Sequence, residues 1–107
     1  MGKFVISERT NGEFQFNLKS DNGQVILTSE GYTTRSNVEH GMSSVRSNSL
    51  SDINFQRKKS VNGKNYFNLK ATNGQVIGTS EMYESSTAME NGIASVMKNA
   101  PGAGIEG

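Results

Sequence analysis

The sequence predicts an α+β fold in which two tandem βββα repeats, each an antiparallel three-stranded meander plus a helix, merge into one pseudo-two-fold domain. Three observations predict it. A shift of 51 residues lays Phe4–Asn48 on Phe55–Asn99 without a gap, and 21 of the 45 aligned pairs are identical. Apolar residues alternate over short segments in the first part of each copy, then change to helical spacing. Asn-Gly pairs punctuate the alternating segments, and that dipeptide is a strong hairpin signal.

In the first copy, Phe4-Val5-Ile6 opens a strand and Asn11-Gly12 the first turn. Phe14, Phe16 and Leu18 alternate with Gln15, Asn17 and Lys19, which describes a strand with one face buried. Asp21-Asn22-Gly23 makes the second turn, and Gln24–Thr28 a short apolar strand. From Thr34 the period changes. Val38, Met42 and Val45 share one helical face, and Met89, Ile93 and Val96 repeat that stripe. Ser36 with Glu39, and Thr87 with Glu90, fit capping boxes. Pro101 stops the second helix. The resulting boundaries are repeat one 3–48, a polar linker 49–54, repeat two 55–99 and a flexible tail 100–107 with the only proline.

Gly41 and Gly92 fall mid-helix beside the apolar stripe. Glycine there costs about 1 kcal/mol relative to alanine. The same cost in both copies points to close packing against a strand or the other helix. A repeat of this size buries too little surface to fold alone. With no cysteine and one histidine in the chain, neither disulfides nor a multi-histidine metal site compensates. The two copies are therefore expected to share one core.

The phrases Phe-Asn-Leu-Lys-x-x-Asn-Gly-Gln-Val-Ile at 16–26 and 67–77, each followed by Thr-Ser-Glu-x-Tyr, form a distinctive pattern with Gly41–Ser49 and Gly92–Asn99. The pattern resembles the YegP-like family of small bacterial proteins of unknown function, over roughly residues 3–100. The resemblance implies a tandem βββα fold, with single-repeat relatives pairing as homodimers. It implies no activity and supplies no catalytic or ligand residues.

Bulk properties narrow the function. The 107 residues carry a net charge of +1, so an anionic partner must be bound by a local patch. No apolar run approaches the roughly 18 residues of a membrane span. The run at Phe4–Ile6 is too short for a secretory signal. A cytoplasmic monomer with pseudo-dimer symmetry and no cofactor is expected.

Candidate chemistry is sparse. His40 lies off the apolar stripe and reads as a solvated helix residue. Gly102-x-Gly104-x-x-Gly107 matches the dinucleotide fingerprint in form, but it follows a helix and has none after it. The repeated Thr28-Ser29-Glu30 and Thr79-Ser80-Glu81 triplets could pair carboxylates across the pseudo-dyad. The stronger reading has them satisfying backbone donors in the strand-to-helix loop, with Tyr32 and Tyr83 packing that loop down. No catalytic or metal-ligating set is assigned.

The candidate ligand- or nucleic-acid-binding residues are Arg57, Lys58, Lys59, Lys64, Tyr66, Lys19 and Lys70. Lysines on a sheet beside an exposed aromatic can follow phosphates while a base stacks. The competing reading is edge protection: Arg57 stands where repeat one has Ile6, and charges suit a strand at the edge of a sheet. Ile6, Phe14 and Leu27 become Arg57, Asn65 and Gly78 in repeat two, so a groove beside Gly78, lined by Asn65, Arg57 and Tyr66, is a further expectation. The function read from these residues is a small binding module without catalysis, holding a ligand or protein partner on the sheet face or in the inter-repeat groove. The alternative is a nucleic-acid-binding accessory protein using the lysine-bearing face.

Overall fold

Turn chemistry sets the strands apart. Gly12, Gly23, Gly63 and Gly74 all have φ between 85° and 88°, a region open to glycine at no steric cost. Each donates its amide to the carbonyl three residues back, as in Gly12 to Arg9 at 3.0 Å and Gly74 to Ala71 at 2.9 Å. The asparagine before the glycine often closes the turn as well: Asn22 and Asn73 accept from the amides of Gln24 and Gln75, both at 3.0 Å.

The structure, a computed structural model, describes residues 2–107. Repeat one contains β1 (Lys3–Glu8), β2 (Phe14–Lys19), β3 (Val25–Ser29) and α1 (Arg35–Asn48). Repeat two contains β4 (Phe55–Lys59), β5 (Asn65–Lys70), β6 (Val76–Thr79) and α2 (Ser86–Asn99). A single 3-10 turn, Asp52–Asn54, lies in the linker, and β7 (Gly104–Glu106) ends the chain. The seven strands form one sheet in the order β4-β5-β6-β3-β2-β1-β7.

The two repeats meet at β3 and β6, which pair antiparallel with Thr28 opposite Thr79. These threonines are equivalent under the 51-residue shift, so the pseudo-dyad passes between them. Leu27 and Gly78 are also equivalent, and near a dyad equivalent side chains compete for the same space. A Cβ on Gly78 would lie 2.8 Å from Leu27 Cγ and Cδ2. One large and one absent side chain solve this packing problem, and only a tandem chain can have both. The expected groove beside Gly78 is thus filled by Leu27. Its proposed lining is split as well: Arg57 faces Phe67, and Asn65 is buried, whereas Tyr66 pairs with Lys58 on the opposite face.

Both helices lie on the same side of the sheet. α1 packs on β2 and reaches β5 and β6; α2 packs on β5 and reaches β3. Phe4, Phe16, Leu18, Val38, Met42 and Val45 from repeat one join Phe55, Phe67, Leu69, Met89, Ile93 and Val96 from repeat two in a single core. Burying each large side chain is worth about 1.5–3 kcal/mol, and each helix finds part of its cover in the other repeat. The expected merger of two half-modules is what the chain forms.

The helix starts differ from expectation. Thr34 caps α1, accepting from Asn37 N at 3.1 Å, and Ser85 caps α2, accepting from Ala88 N at 3.0 Å. Both lie two residues before Ser36 and Thr87, which sit inside the helices. Several Ser and Thr precede each stripe, so local sequence did not single out the cap. The tail also differs. Ala100 and Ala103 are buried, and Gly104–Glu106 pairs in parallel with β1, so this segment is a strand rather than a flexible tail. Three residues in a segment punctuated by glycines carry no alternating pattern that marks a strand.

Candidate functional site

The repeated Thr-Ser-Glu-x-Tyr segments turn out to be structural. Ser29 Oγ accepts the Phe16 amide at 2.9 Å and donates to the Glu30 carbonyl at 2.8 Å. Ser80 does the same with Phe67 and Glu81, at the same two distances. A hydroxyl serves here because these backbone donors are buried and require an acceptor. The tyrosines then bridge back to the start of the second strand, Tyr32 to Phe14 and Tyr83 to Asn65. Their rings stack on Phe16 and Phe67 at centroid distances of 6.2 and 6.4 Å. A Cβ on Gly41 would lie 2.8 Å from Tyr32 Cζ, and one on Gly92 2.7 Å from Tyr83 Cζ. The helix glycines therefore make room chiefly for a tyrosine ring, with the Phe16 ring of β2 also 3.1 Å from the Gly41 Cβ position, and not for the other helix. Burial raises both tyrosine pKa values, with a smaller contribution from the negative charge of Glu30 or Glu81.

With the helices on one side, the other side of the sheet has no layer of secondary structure over it. Strand alternation and the pairing register assign its residues. A central row crosses six strands: Gln56, Asn68, Thr79, Thr28, Asn17 and Val5. Thr79 Oγ1 donates to Asn68 Oδ1 at 2.8 Å. Lys19 and Lys70 stand on either side of this row, related by the pseudo-dyad and each paired with a valine, Val25 or Val76. Their strands are three spacings apart, roughly 14 Å. Lys58 pairs with Tyr66, and Lys3 with Lys19, on the same face. Lys3 forms an ion pair with Glu106 at 3.0 Å. Hydrogen bonding to Lys3, then its charge and that of Lys19, hold the Glu106 carboxyl below the ordinary glutamate range. Glu30 directly follows β3, Glu81 lies two residues beyond β6, and both are exposed.

The seven sequence candidates divide among three locations. Lys19, Lys58, Tyr66 and Lys70 share the helix-free face. Arg57 and Lys59 alternate to the helix side of β4, opposite Phe67 and Asn65. Arg57 Nε donates to Glu90 Oε2 at 2.7 Å and Arg57 Nη2 to Asp52 Oδ1 at 2.8 Å. These hydrogen bonds lower the pKa of Asp52 and of Glu90 and raise that of Arg57. Lys64 pairs with Glu84. β4 is one of the sheet's two edge strands, with four of its five residues exposed, so its charges stand where edge protection needs them.

A groove of about 480 Å³ lies between the repeats, where α2 faces the turn joining β2 to β3; a groove between the repeats was expected, its lining residues were not. Asn22, Gln24, Tyr83, Asn91 and Ser95 are among its lining residues. No sequence signal could place these together, because one wall belongs to each repeat. His40 is exposed on α1. Among the described residues there is no group of three or more His, Cys, Asp or Glu that could hold a metal ion, and no helix long and apolar enough to cross a membrane.

The fold and the twofold recurrence of the Ser-Tyr-Gly device define the class: a tandem βββα protein whose two units complete one sheet. The chain belongs to the family described as "Domain of unknown function (DUF1508)", whose model matches it twice, at residues 10–54 and 60–106. It is 48% identical over 99 residues to UPF0339 protein YegP of Yersinia pestis, covering 92% of this chain and 88% of that one. It is 49% identical over 98 residues to YegP of Escherichia coli K12, covering 92% and 89%. The solution structure of the E. coli protein, described as of unknown function, matches with a TM-score of 0.93 at 46% identity, over 98% of this chain and 90% of that one. That of a UPF0339 protein from Shewanella oneidensis matches with a TM-score of 0.92 at 47% identity, over 98% and 89%.

Proposed function

We propose that this chain is a cytoplasmic binding module without catalytic chemistry, acting as a monomer, that holds an acidic protein segment on the helix-free face of its sheet. One observation carries the reading: both helices lie on one side, leaving the other side of a seven-stranded sheet without a covering layer. That face offers Asn and Thr side chains across its centre and the lysines Lys19 and Lys70 at symmetric positions about the pseudo-dyad. Amides and hydroxyls there can bond a polypeptide, and the lysines favour carboxylates. The strand residues of the face include four lysines and Glu106 in a chain of net charge +1.

A second reading, single-stranded nucleic acid on the same face, is favoured by Tyr66 directly across from Lys58. The test uses poly-glutamate and oligothymidine as probes, in low salt, with the unsubstituted chain and the Lys19→Glu, Lys70→Glu double variant. The expected result is salt-sensitive binding of poly-glutamate that the double variant lowers at least tenfold. Binding of oligothymidine alone, with shifts of the Tyr66 ring resonances, would transfer the face to nucleic acid. Equal binding by both chains, or none, would overturn its use for an anionic partner.

A further inference from the structure

β1 and β4 begin equivalent repeats, but β1 is not an edge strand. Its outer side is taken by β7, in parallel register with Lys3 opposite Gly104, Phe4 opposite Ile105 and Val5 opposite Glu106. β7 is held mainly through its backbone, with Ala103 buried before it and, after it, no room for a Cβ on Gly107, which would lie 2.6 Å from the Ile6 carbonyl oxygen. Gly104 donates its amide to the Gly2 carbonyl at 3.2 Å. Arg46 Nη2 donates to the Ala103 carbonyl at 2.6 Å, and Arg35 to that of Gly107. The one side-chain ion pair joins Glu106 to Lys3, with Lys19 adding to the positive field. Ile105 is 55% exposed, and all three residues of β7 are exposed. A Cβ on Gly104 would meet nothing within 4 Å. β1 thus pairs with an extended backbone whose side-chain carboxylate meets Lys3, whose flanking oxygens take hydrogen bonds from Arg46 and Arg35, and whose last position is restricted to glycine.

The strand beneath is apolar: Phe4 and Ile6 are buried and Val5 half-buried. It carries none of the Arg-Lys-Lys protection seen on β4. An unprotected apolar edge pairs readily with another strand. We infer that the outer edge of β1 is a strand-addition site for an extended acidic segment of a partner protein, and that Gly104–Gly107 is its intramolecular occupant. The tether gives the resident segment a high effective concentration, so an outside segment competes only when the resident one is weakened. This site is the sheet's edge; it shares Lys3, Lys19 and Glu106 with the helix-free face, and peptide-induced shifts confined to β1 and β7, not extending to β3, β5 and β6, set it apart from binding on that face.

The full chain tests this, with and without Glu106→Lys, which sets a third positive charge beside Lys3 and Lys19. The probe is the peptide acetyl-Ala-Gly-Ile-Glu-Gly. Amide resonances of Lys3–Ser7 are expected to shift on titration, with affinity at least tenfold higher for Glu106→Lys than for the unsubstituted chain. The same peptide with Lys in place of Glu is expected to bind at least tenfold more weakly. In the unsubstituted chain, hydrogen exchange at β7 is expected to be at least a hundredfold faster than at β2 and β5. Absence of peptide-induced shifts in β1 of the Glu106→Lys chain would overturn the proposal. So would indifference to the peptide's charge, or β7 amides protected as strongly as those of β5.

Discussion

β1 and β4 occupy the same place in two repeats, and their chemistry is opposite. β1 reads Lys-Phe-Val-Ile-Ser-Glu and β4 reads Phe-Gln-Arg-Lys-Lys. Both pack one phenylalanine edge-on against the next strand, Phe4 on Phe16 at 5.4 Å and Phe55 on Phe67 at 5.6 Å. The difference begins at the next residue, Val5 against Gln56, and is greatest two residues on. Ile6 is 9% exposed and lies in the core, whereas Arg57 reaches outward to Asp52 and Glu90. One strand has a neighbour on each side and the other has only β5. A strand's sequence thus answers to what lies beside it in the sheet as much as to its place in the repeat.

Exchanging the two residues breaks the comparison most sharply. Ile6→Arg places a cation without a carboxylate into the core, and a loss of about 3 kcal/mol or more is expected by chemical denaturation. Arg57→Ile is expected to change stability by about 1 kcal/mol or less. Its larger effect is concentration-dependent association, seen by sedimentation, because β4 loses edge protection. Comparable destabilisation by both substitutions would mean that the two edges are not distinct.

Where the repeats agree, matched substitutions should agree too. Ser29→Ala and Ser80→Ala each leave the amide of a buried phenylalanine without its acceptor. Each is expected to cost about 1–3 kcal/mol, with the pair matching within about 0.5 kcal/mol. A large difference would show that the symmetry of these hydrogen bonds, 2.9 Å in both repeats, hides unequal surroundings.

Acid gives the smallest effect. Asp52 and Glu90 have pKa values held below their ordinary 3.8 and 4.5 by hydrogen bonds from Arg57. Carboxylates stabilised in this way contribute above their unfolded pKa, and the contribution disappears as pH falls through the lower folded value. Stability is therefore expected to decline below about pH 4. The acid sensitivity assigned to this cluster should be absent from Arg57→Met, measured by urea titration at pH 3 and pH 6. The groups are exposed, so the difference is small.

Much of this architecture was readable from the residues themselves. The duplication, the turns at Asn-Gly, the alternation in β2 and β5 and the helix stripes are local or periodic signals, and they hold. The face bearing Lys19 and Lys70 followed from the same alternation, since neighbours in a strand point to opposite sides. Four of the seven candidate side chains meet there. Arg57, Lys59 and Lys64 do not, because β4 turns the first two the other way and Glu84 engages the third. The edge role of β4 was legible in its charges.

Chain order alone determined that there are two βββα units, which residues are apolar, and that neither unit could be buried without the other. Only the assembled sheet decided which strands meet at the centre, why Leu27 needs Gly78, where the helix glycines receive their tyrosines, and that the last residues become a strand. The physical reason is range. Periodicity and turn preference act between near neighbours, while pairing across a pseudo-dyad and the closing of an edge depend on surfaces that come together only when the whole chain has folded.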